Sequence, residues 1–289
     1  MTEEVVLPRT DPVTRSTTEE VRANNDINAD FAGLFTLRGK TSRRAEVTVA
    51  AAASLLLLGA WELIVDLGFT NPLFLPSPSA VIGTLWKMAS TGDLFYQAGI
   101  STARVWIAFL LSAVMAIPIG ILMSSYRIIG AALEPIVDFI RYLPVPALVP
   151  LSIIWFGVGE ETKIFLLWLG TFFQLVLLVA DDMRRVPQEY VETAFTLGAN
   201  PRQVLSDVAL RAMLPNLLDS LRITLGWCWT YLIIAEIVAA QSGIGFVIWT
   251  ARRYMHTNEV MAGVITIGII GLATDQLLRL LHRRMFRYL

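Results

Sequence analysis

The sequence predicts an all-α membrane protein of about six transmembrane helices, on three observations. Apolar residues make up 55% of the 289 and charged residues only 16%, where a soluble domain carries about 25% charge. Six stretches stay apolar for roughly the 20 residues that a helix needs to cross the hydrocarbon core. Lys and Arg gather at alternate ends of those stretches, the pattern left by a chain that keeps its basic loops on the cytoplasmic face. The alternating pattern of a membrane barrel does not occur in the sequence, and open strands could not satisfy their backbone groups in lipid.

Residues 1–45 are polar and mixed in charge, with no apolar run of the signal-peptide kind near the start. They read as a cytoplasmic tail ahead of a membrane domain over 46–289. The expected spans are Val47 to Leu67, Val105 to Met123, Ile136 to Phe156, Ile164 to Ala180, Leu217 to Ala240, and Val260 to Leu281. Arg38, Lys40, Arg43 and Arg44 precede the first, Arg127 follows the second, Arg184 and Arg185 follow the fourth, and Arg279, Arg283, Arg284 and Arg287 close the chain. With six crossings these all fall on one face, which places both termini in the cytoplasm. Arg252, Arg253 and His256 lie before the last span, on the opposite face. They are either interfacial anchors or a basic rim that docks a partner.

A net charge of -1 supplies no global basic field for nucleic acid. The single Cys228 and the distant His256 and His282 offer no disulfide, metal site or catalytic cluster. Gly33 and the following LFTLRGKT approach a phosphate loop, but five residues rather than four separate Gly33 from Gly39, and no strand-helix unit surrounds them. The chain is therefore expected to hold no metal or cofactor, and any ATP hydrolysis belongs to another subunit.

Ionisable groups at membrane depth are costly, so they face a bundle interior or reach for the interface. Glu62 and Asp66 lie near an outer end, Asp138 and Arg141 near an inner end at i,i+3 spacing, and Glu236 near the outer end of the fifth span. Each is a pathway candidate or a structural pair. In the third span, RYLPVPALVP brings Pro144, Pro146 and Pro150 together. Proline removes a helix hydrogen bond, so this segment should be broken or irregular at its start. Irregular backbone at such depth is tolerated where it is buried in protein or lines a cavity. Arg141, Pro144, Pro146 and Glu236 are accordingly the translocation-path candidates, a simple kinked helix being the other reading of the prolines.

Between the fourth and fifth spans, Asp181 to Asn216 looks water-soluble. Pro187 suits a first helical position, and the helix it opens can run through Leu197 to a stop at Gly198. Asn200 can cap a second helix with Pro201 at its first position and Gln203 completing a capping box. Val191, Ala194, Phe195 and Leu197 share a face of the first helix; Val204, Leu205 and Val208 share one on the second, opposite Arg202, Gln203, Ser206 and Asp207. Such a corner either folds against its own bundle or is presented to another protein's groove.

Glu192-Thr193-Ala194, followed after three residues by Gly198 and after nine more by Val208-Ala209-Leu210, resembles the EAA signature of permease subunits in ATP-binding-cassette importers. Thr193 replaces the usual second small residue, and Arg211 stands where a proline commonly follows, while Pro215 keeps the second proline. LFLPSPSAV at Leu73 to Val81, LPVPALVPLSIIWFGVGEETK at Leu143 to Lys163 and SGIGFVIWTARRY at Ser242 to Tyr254 resemble the nitrate, sulfonate, taurine and bicarbonate branch. The resemblance extends from about Ala60 to Leu281.

That resemblance implies a type I importer (MetI-like) permease fold in a bacterial inner membrane, with a cytoplasmic coupling segment at about 187–213. Glu192, Thr193, Ala194, Leu197, Gly198 and Ala199 would then engage an ATPase cleft. The implied partners are a second permease copy in a homodimer, two ATPase subunits carrying ATP and Mg, and an extracytoplasmic substrate-binding protein docking near Arg252 and Arg253. A secondary transporter would need coupling-ion chemistry near the midplane and often shows repeat halves; the span centres carry few charges, and no convincing repeat is present. A membrane-embedded enzyme would need the clustered His, Asp or Glu that two lone histidines do not provide.

Overall fold

The computed structural model describes residues 42–239 and 241–286. Most of the polar N-terminal tail, including the loop from Gly33 to Thr41, lies outside them. The chain forms two compact units, Met1–Thr70 and Asn71–Leu289. In the first, helix α1 covers Arg43–Asp66, and the Ser42 hydroxyl caps it by accepting from the Ala45 N–H at 3.2 Å. Its 24 residues rise about 36 Å, and Leu55, Leu56 and Leu57 in its middle are all exposed. A helix apolar all round is suited to lipid or to a buried position.

The described residues of the second unit form helices joined by short turns. It contains α2 (Pro78–Ser90), α3 (Asp93–Ser125), α4 (Arg127–Arg141), α5 (Val145–Phe156), α6 (Glu160–Arg184), α7 (Gln188–Thr196) and the single turn α8 (Pro201–Gln203). A wide π-helical stretch, Val204–Ala209, continues α8 into α9 (Leu210–Ala239), followed by α10 (Ile244–Arg253) and α11 (Thr257–Met285).

Helix α6 is the centre, packing along α3 on one side and α9 on the other. Val105, Leu166, Leu225 and Leu232 form one buried cluster towards the Glu160 end of α6, and Ala116, Met123, Leu175 and Met213 form another towards the Arg184 end. Two polar pairs lie between these helices: the Ser112 and Thr171 hydroxyls lie 2.8 Å apart, and Ser220 donates to the buried Asp182 at 2.6 Å.

Among the described residues four helices, α1, α3, α6 and α11, are long and apolar enough to cross a membrane. The pair α4 and α5 makes a fifth if counted as one, but it bends by 98°. The expected span from Ile136 to Phe156, which its prolines should break or make irregular, is thus two helices. The first begins nine residues earlier, at Arg127, and ends at Arg141. Pro144 cannot donate a helix bond and stands extended at φ -69° and ψ 112°, and a new helix starts at Val145 with Pro146 in its first turn. The expected fifth span, Leu217 to Ala240, falls on α9 as far as Ala239, Ala240 lying outside the described residues; α9 has 30 residues but is not among the helices that qualify by apolar content. It carries Asp219, Arg222 and Glu236, whose charges are matched within the bundle: Arg222 meets Asp219 at 3.1 Å and Asp275 at 2.5 Å, and Glu236 meets Arg104 at 2.7 Å.

Candidate translocation and coupling sites

The break between α4 and α5 opens a cavity of about 350 Å³. Arg141 and Leu143 line it from the break, Gly170 and Gln174 from α6, and Thr230 and Tyr231 from α9. Gly170 is required by close approach: a Cβ there would stand 2.7 Å from the Tyr231 ring. Arg141 pairs with Asp138 at 3.1 Å, donates to the Tyr142 hydroxyl at 3.0 Å and lies 4.7 Å from that ring's centroid. A cation whose charge is already matched offers an anion a foothold without a deep trap.

The sequence places Arg141 near an inner end, and the structure corrects that depth. Its cavity neighbours Leu169 and Gln174 are the tenth and fifteenth of the 25 residues of α6, so Arg141 faces the helix middle. The cause is the early start of α4, whose 15 residues climb about 22 Å before the bend. Pro144 and Pro146 do not line the cavity; they flank Leu143 and Val145, which do.

Glu236 lies apart from this cavity, in a closed polar cluster. Ser101 donates to it at 2.7 and 3.0 Å, Arg104 at 2.7 Å and the Gly245 N–H at 2.7 Å, so its carboxylate also caps the start of α10. Arg104 grips Glu160 with Nε at 2.6 Å and an Nη at 2.7 Å, and Lys163 donates to the same carboxylate at 2.7 Å. Sequence reasoning singled out Glu236 alone. The available signal was positional: Arg104 and Lys163 each adjoin the start of an expected span, and Glu160 lies in the short stretch between two, on the same face as Glu236.

The soluble corner forms as its local chemistry dictates. Helix α7 ends at Thr196, and Gly198 takes φ 86°, the left-handed conformation that glycine adopts without penalty. A Cβ at Gly198 would meet nothing within 4 Å, so within this chain it is the turn, rather than close packing, that calls for glycine. Asn200 accepts from the Gln203 N–H at 3.0 Å and Gln203 accepts from the Asn200 N–H at 3.0 Å, the reciprocal capping box. The next turn is wide, with the Leu210 N–H reaching back to Leu205, and the helix runs on through Arg211, which keeps the N–H a proline would lack. Pro187 stands just before α7 instead of in its first turn.

Ala194 is the buried member of the corner, together with Val204 of the facing stretch. Phe195 and Leu197 point outward instead, Leu197 at 82% exposure. Glu192, Thr193 and Leu197 line a shallow depression, and among the described residues the Glu192 carboxylate makes no ion pair. Ala199 is half-buried behind Gly198.

Arg252 and Arg253 form the last turn of α10 and are exposed. Arg252 lies 5.0 Å from the Trp249 ring centroid. Beyond them the chain turns sharply at Met255, φ 58°, and His256 lies 3.4 Å from Glu259.

A profile of the family described as binding-protein-dependent transport system inner membrane component matches residues 112–287. The aliphatic sulfonates transport permease protein SsuC of Bacillus subtilis is 35% identical over 232 residues, covering 80% of this chain and 84% of its own. The taurine transport system permease protein TauC of Escherichia coli is 34% identical over 245 residues, covering 83% and 89%. The bicarbonate transport system permease protein CmpB of Synechococcus elongatus is 33% identical over 195 residues, covering 67% and 70%. Among solved structures, a chain of the inward-facing MetNI methionine transporter superposes with a TM-score of 0.55 at 22% identity, covering 66% of this chain and 97% of that one. A chain of an amino acid ABC transporter gives 0.60 at 15% identity, covering 69% and 97%. Both share the fold.

Proposed function

The chain belongs to the binding-protein-dependent transport system inner membrane components, the permease subunits of ATP-binding-cassette importers, and we propose that it carries a small anion of the nitrate, sulfonate, taurine or bicarbonate class past the helix break at Arg141. The cavity carries this reading. It is small, lies at the middle of α6, and combines one matched cation with the polar groups of Gln174, Thr230 and Tyr231. The three transport relatives' substrates share an anionic oxygen group, which suits such a lining.

The corner from α7 to the wide turn is the coupling handle. A partner ATPase, which binds ATP and Mg, receives Leu197 and Phe195 in its cleft, and Glu192 meets a basic group there. Ala194 seats the handle on its own chain, and Gly198 sets the angle at which it is presented. Rigid-body movement of the ATPases then tilts α6 and α9 through the two ends of the handle. On this reading both termini and the handle face the cytoplasm, and the membrane is the bacterial inner membrane. A second copy of the chain completes a homodimer, and a substrate-binding protein meets Arg252 and Arg253 outside.

The deciding experiment is reconstitution of the chain with an ATPase subunit and a binding protein in proteoliposomes. ATP-driven, binding-protein-dependent uptake of labelled taurine, bicarbonate or nitrate is expected, and Arg141→Gln is expected to slow it at least tenfold. Uptake only of solutes that carry no anionic oxygen group, or uptake that needs no ATP, would overturn the reading.

A further inference from the structure

Arg104 is buried between two carboxylates that are not equivalent. Glu236 is fully buried and committed on both oxygens, to Ser101, Arg104 and the Gly245 N–H. The Glu160 side chain is 53% exposed, and the hydrogen bonds of its carboxylate go to Arg104 and Lys163. Glu160 opens α6 directly after Gly157-Val158-Gly159, where Gly157 stands at φ 76°. The two cations beneath it are nearly sealed, with side-chain exposures of 3% for Arg104 and 6% for Lys163. Ser242 closes the far side, its hydroxyl accepting from Arg104 at 3.0 Å.

Two cations and two carboxylates cancel. Displacing Glu160 leaves one net positive charge beneath the surface, with two guanidinium N–H groups and one ammonium aimed at the vacated place. An uncompensated charge at such burial is strongly unfavourable, so the site demands another anion. The guanidinium fork matches two oxygens of a planar or tetrahedral oxyanion, and the ammonium adds a third donor without a fixed direction. Glu236 cannot leave in Glu160's stead, because its departure would leave Ser101 and the Gly245 N–H at the start of α10 without their acceptor.

We propose that Arg104 and Lys163 form a binding site for a small monovalent oxyanion at the Glu160 end of the bundle, with Glu160 as its resident stand-in. This site deepens the anion-import reading and rests on it: the transported anion enters when the start of α6 moves Glu160 aside, and Glu160 returns when the anion has passed. Because Glu160 is tethered, its local concentration exceeds that of any free anion. The site therefore opens only when the turn at residues 157–160 carries the Glu160 carboxylate off Arg104 while Lys163, one turn further along α6, stays beside the guanidinium.

Titration of the detergent-solubilised full-length chain with methanesulfonate tests the site. Glu160→Ala removes the stand-in, and this variant is expected to bind methanesulfonate at least tenfold more tightly than the unmodified chain and to gain several degrees in Tm on binding. Dimethyl sulfone, the neutral analogue, should do neither. Adding Lys163→Met should return binding to the unmodified level. If Glu160→Ala fails to fold, Glu160→Gln keeps the shape while removing the charge, and a gain of at least threefold is expected. Equal binding by a folded Glu160 variant and the unmodified chain, or a gain that survives Lys163→Met, overturns the proposal. Uptake by the unmodified importer tests the anion reading separately, so a failed titration beside intact sulfonate uptake removes the site alone, and loss of the anion reading shows as uptake of no anion.

Discussion

Arg104 and Glu236 meet at 2.7 Å across 132 residues of sequence, the carboxylate wholly buried and the guanidinium side chain 3% exposed. Removing either partner leaves the cluster of Arg104, Lys163, Glu160 and Glu236 with one unmatched charge, at a cost of about 3–5 kcal/mol. Arg104→Met and Glu236→Leu are each expected to lower unfolding stability in detergent by that amount. The double variant strands neither of these two charges and should lose clearly less than the sum of the singles. Additive losses in the cycle would show that the contact contributes no coupling.

Gly198 separates a folding role from a transmission role. A valine there must adopt φ 86°, which costs about 1–2 kcal/mol, but its Cβ meets no atom of this chain. Gly198→Val is therefore expected to insert and accumulate normally while losing most ATP-driven uptake, and Gly198→Asn, which tolerates the left-handed region better, should retain more. Uptake by the valine variant equal to that of the unmodified importer would remove the coupling role from the corner.

Arg252 and Arg253 are exposed at the end of α10, with Arg252 beside the Trp249 ring, so reversing them leaves the buried interior untouched. The double change to Glu is expected to weaken stimulation of ATPase activity by the binding protein. The difference from the unmodified importer should be largest in low salt and shrink as ionic strength rises, because exposed charges are screened beyond about 10 Å at 0.1 M salt. Unchanged stimulation in low salt would mean that these arginines only anchor the helix at the interface.

What the sequence made legible was what local chemistry decides. The capping box of Asn200 and Gln203 and the stop at Gly198 follow from residues within one turn of each other, and Pro144 breaks the helix wherever it is placed. The angle of that break is set by what packs on both sides of it, so 98° could not be read from the prolines. The early start of α4 was hidden because Arg127 and Glu134 interrupt the apolar run that marks a span. Arg104, Glu160 and Lys163 escaped notice because 56 residues separate Arg104 from Glu160 and 132 from Glu236. The wide turn at Val204–Ala209 has an ordinary helical pattern, and no residue in it announces the extra width.

Gly170 tests whether the cavity at the helix break is the path. A side chain there would drive into the Tyr231 ring, whose Cδ2 lies 2.7 Å from the place of the added Cβ and whose Cγ lies 2.9 Å from it. The ring lines the cavity, so the direction open to it is inward, where it takes up space that a passing anion would use. Gly170→Val is expected to reduce uptake at least tenfold while the chain still assembles with its ATPase. Trimming the obstruction with Tyr231→Ala in the same chain should restore a large part of the flux, because the valine then occupies volume the ring has given up. A stability defect from the same clash would show as poor assembly of Gly170→Val with its ATPase, so uptake is compared per assembled complex. Full uptake by a folded Gly170→Val importer would place the path elsewhere in the bundle.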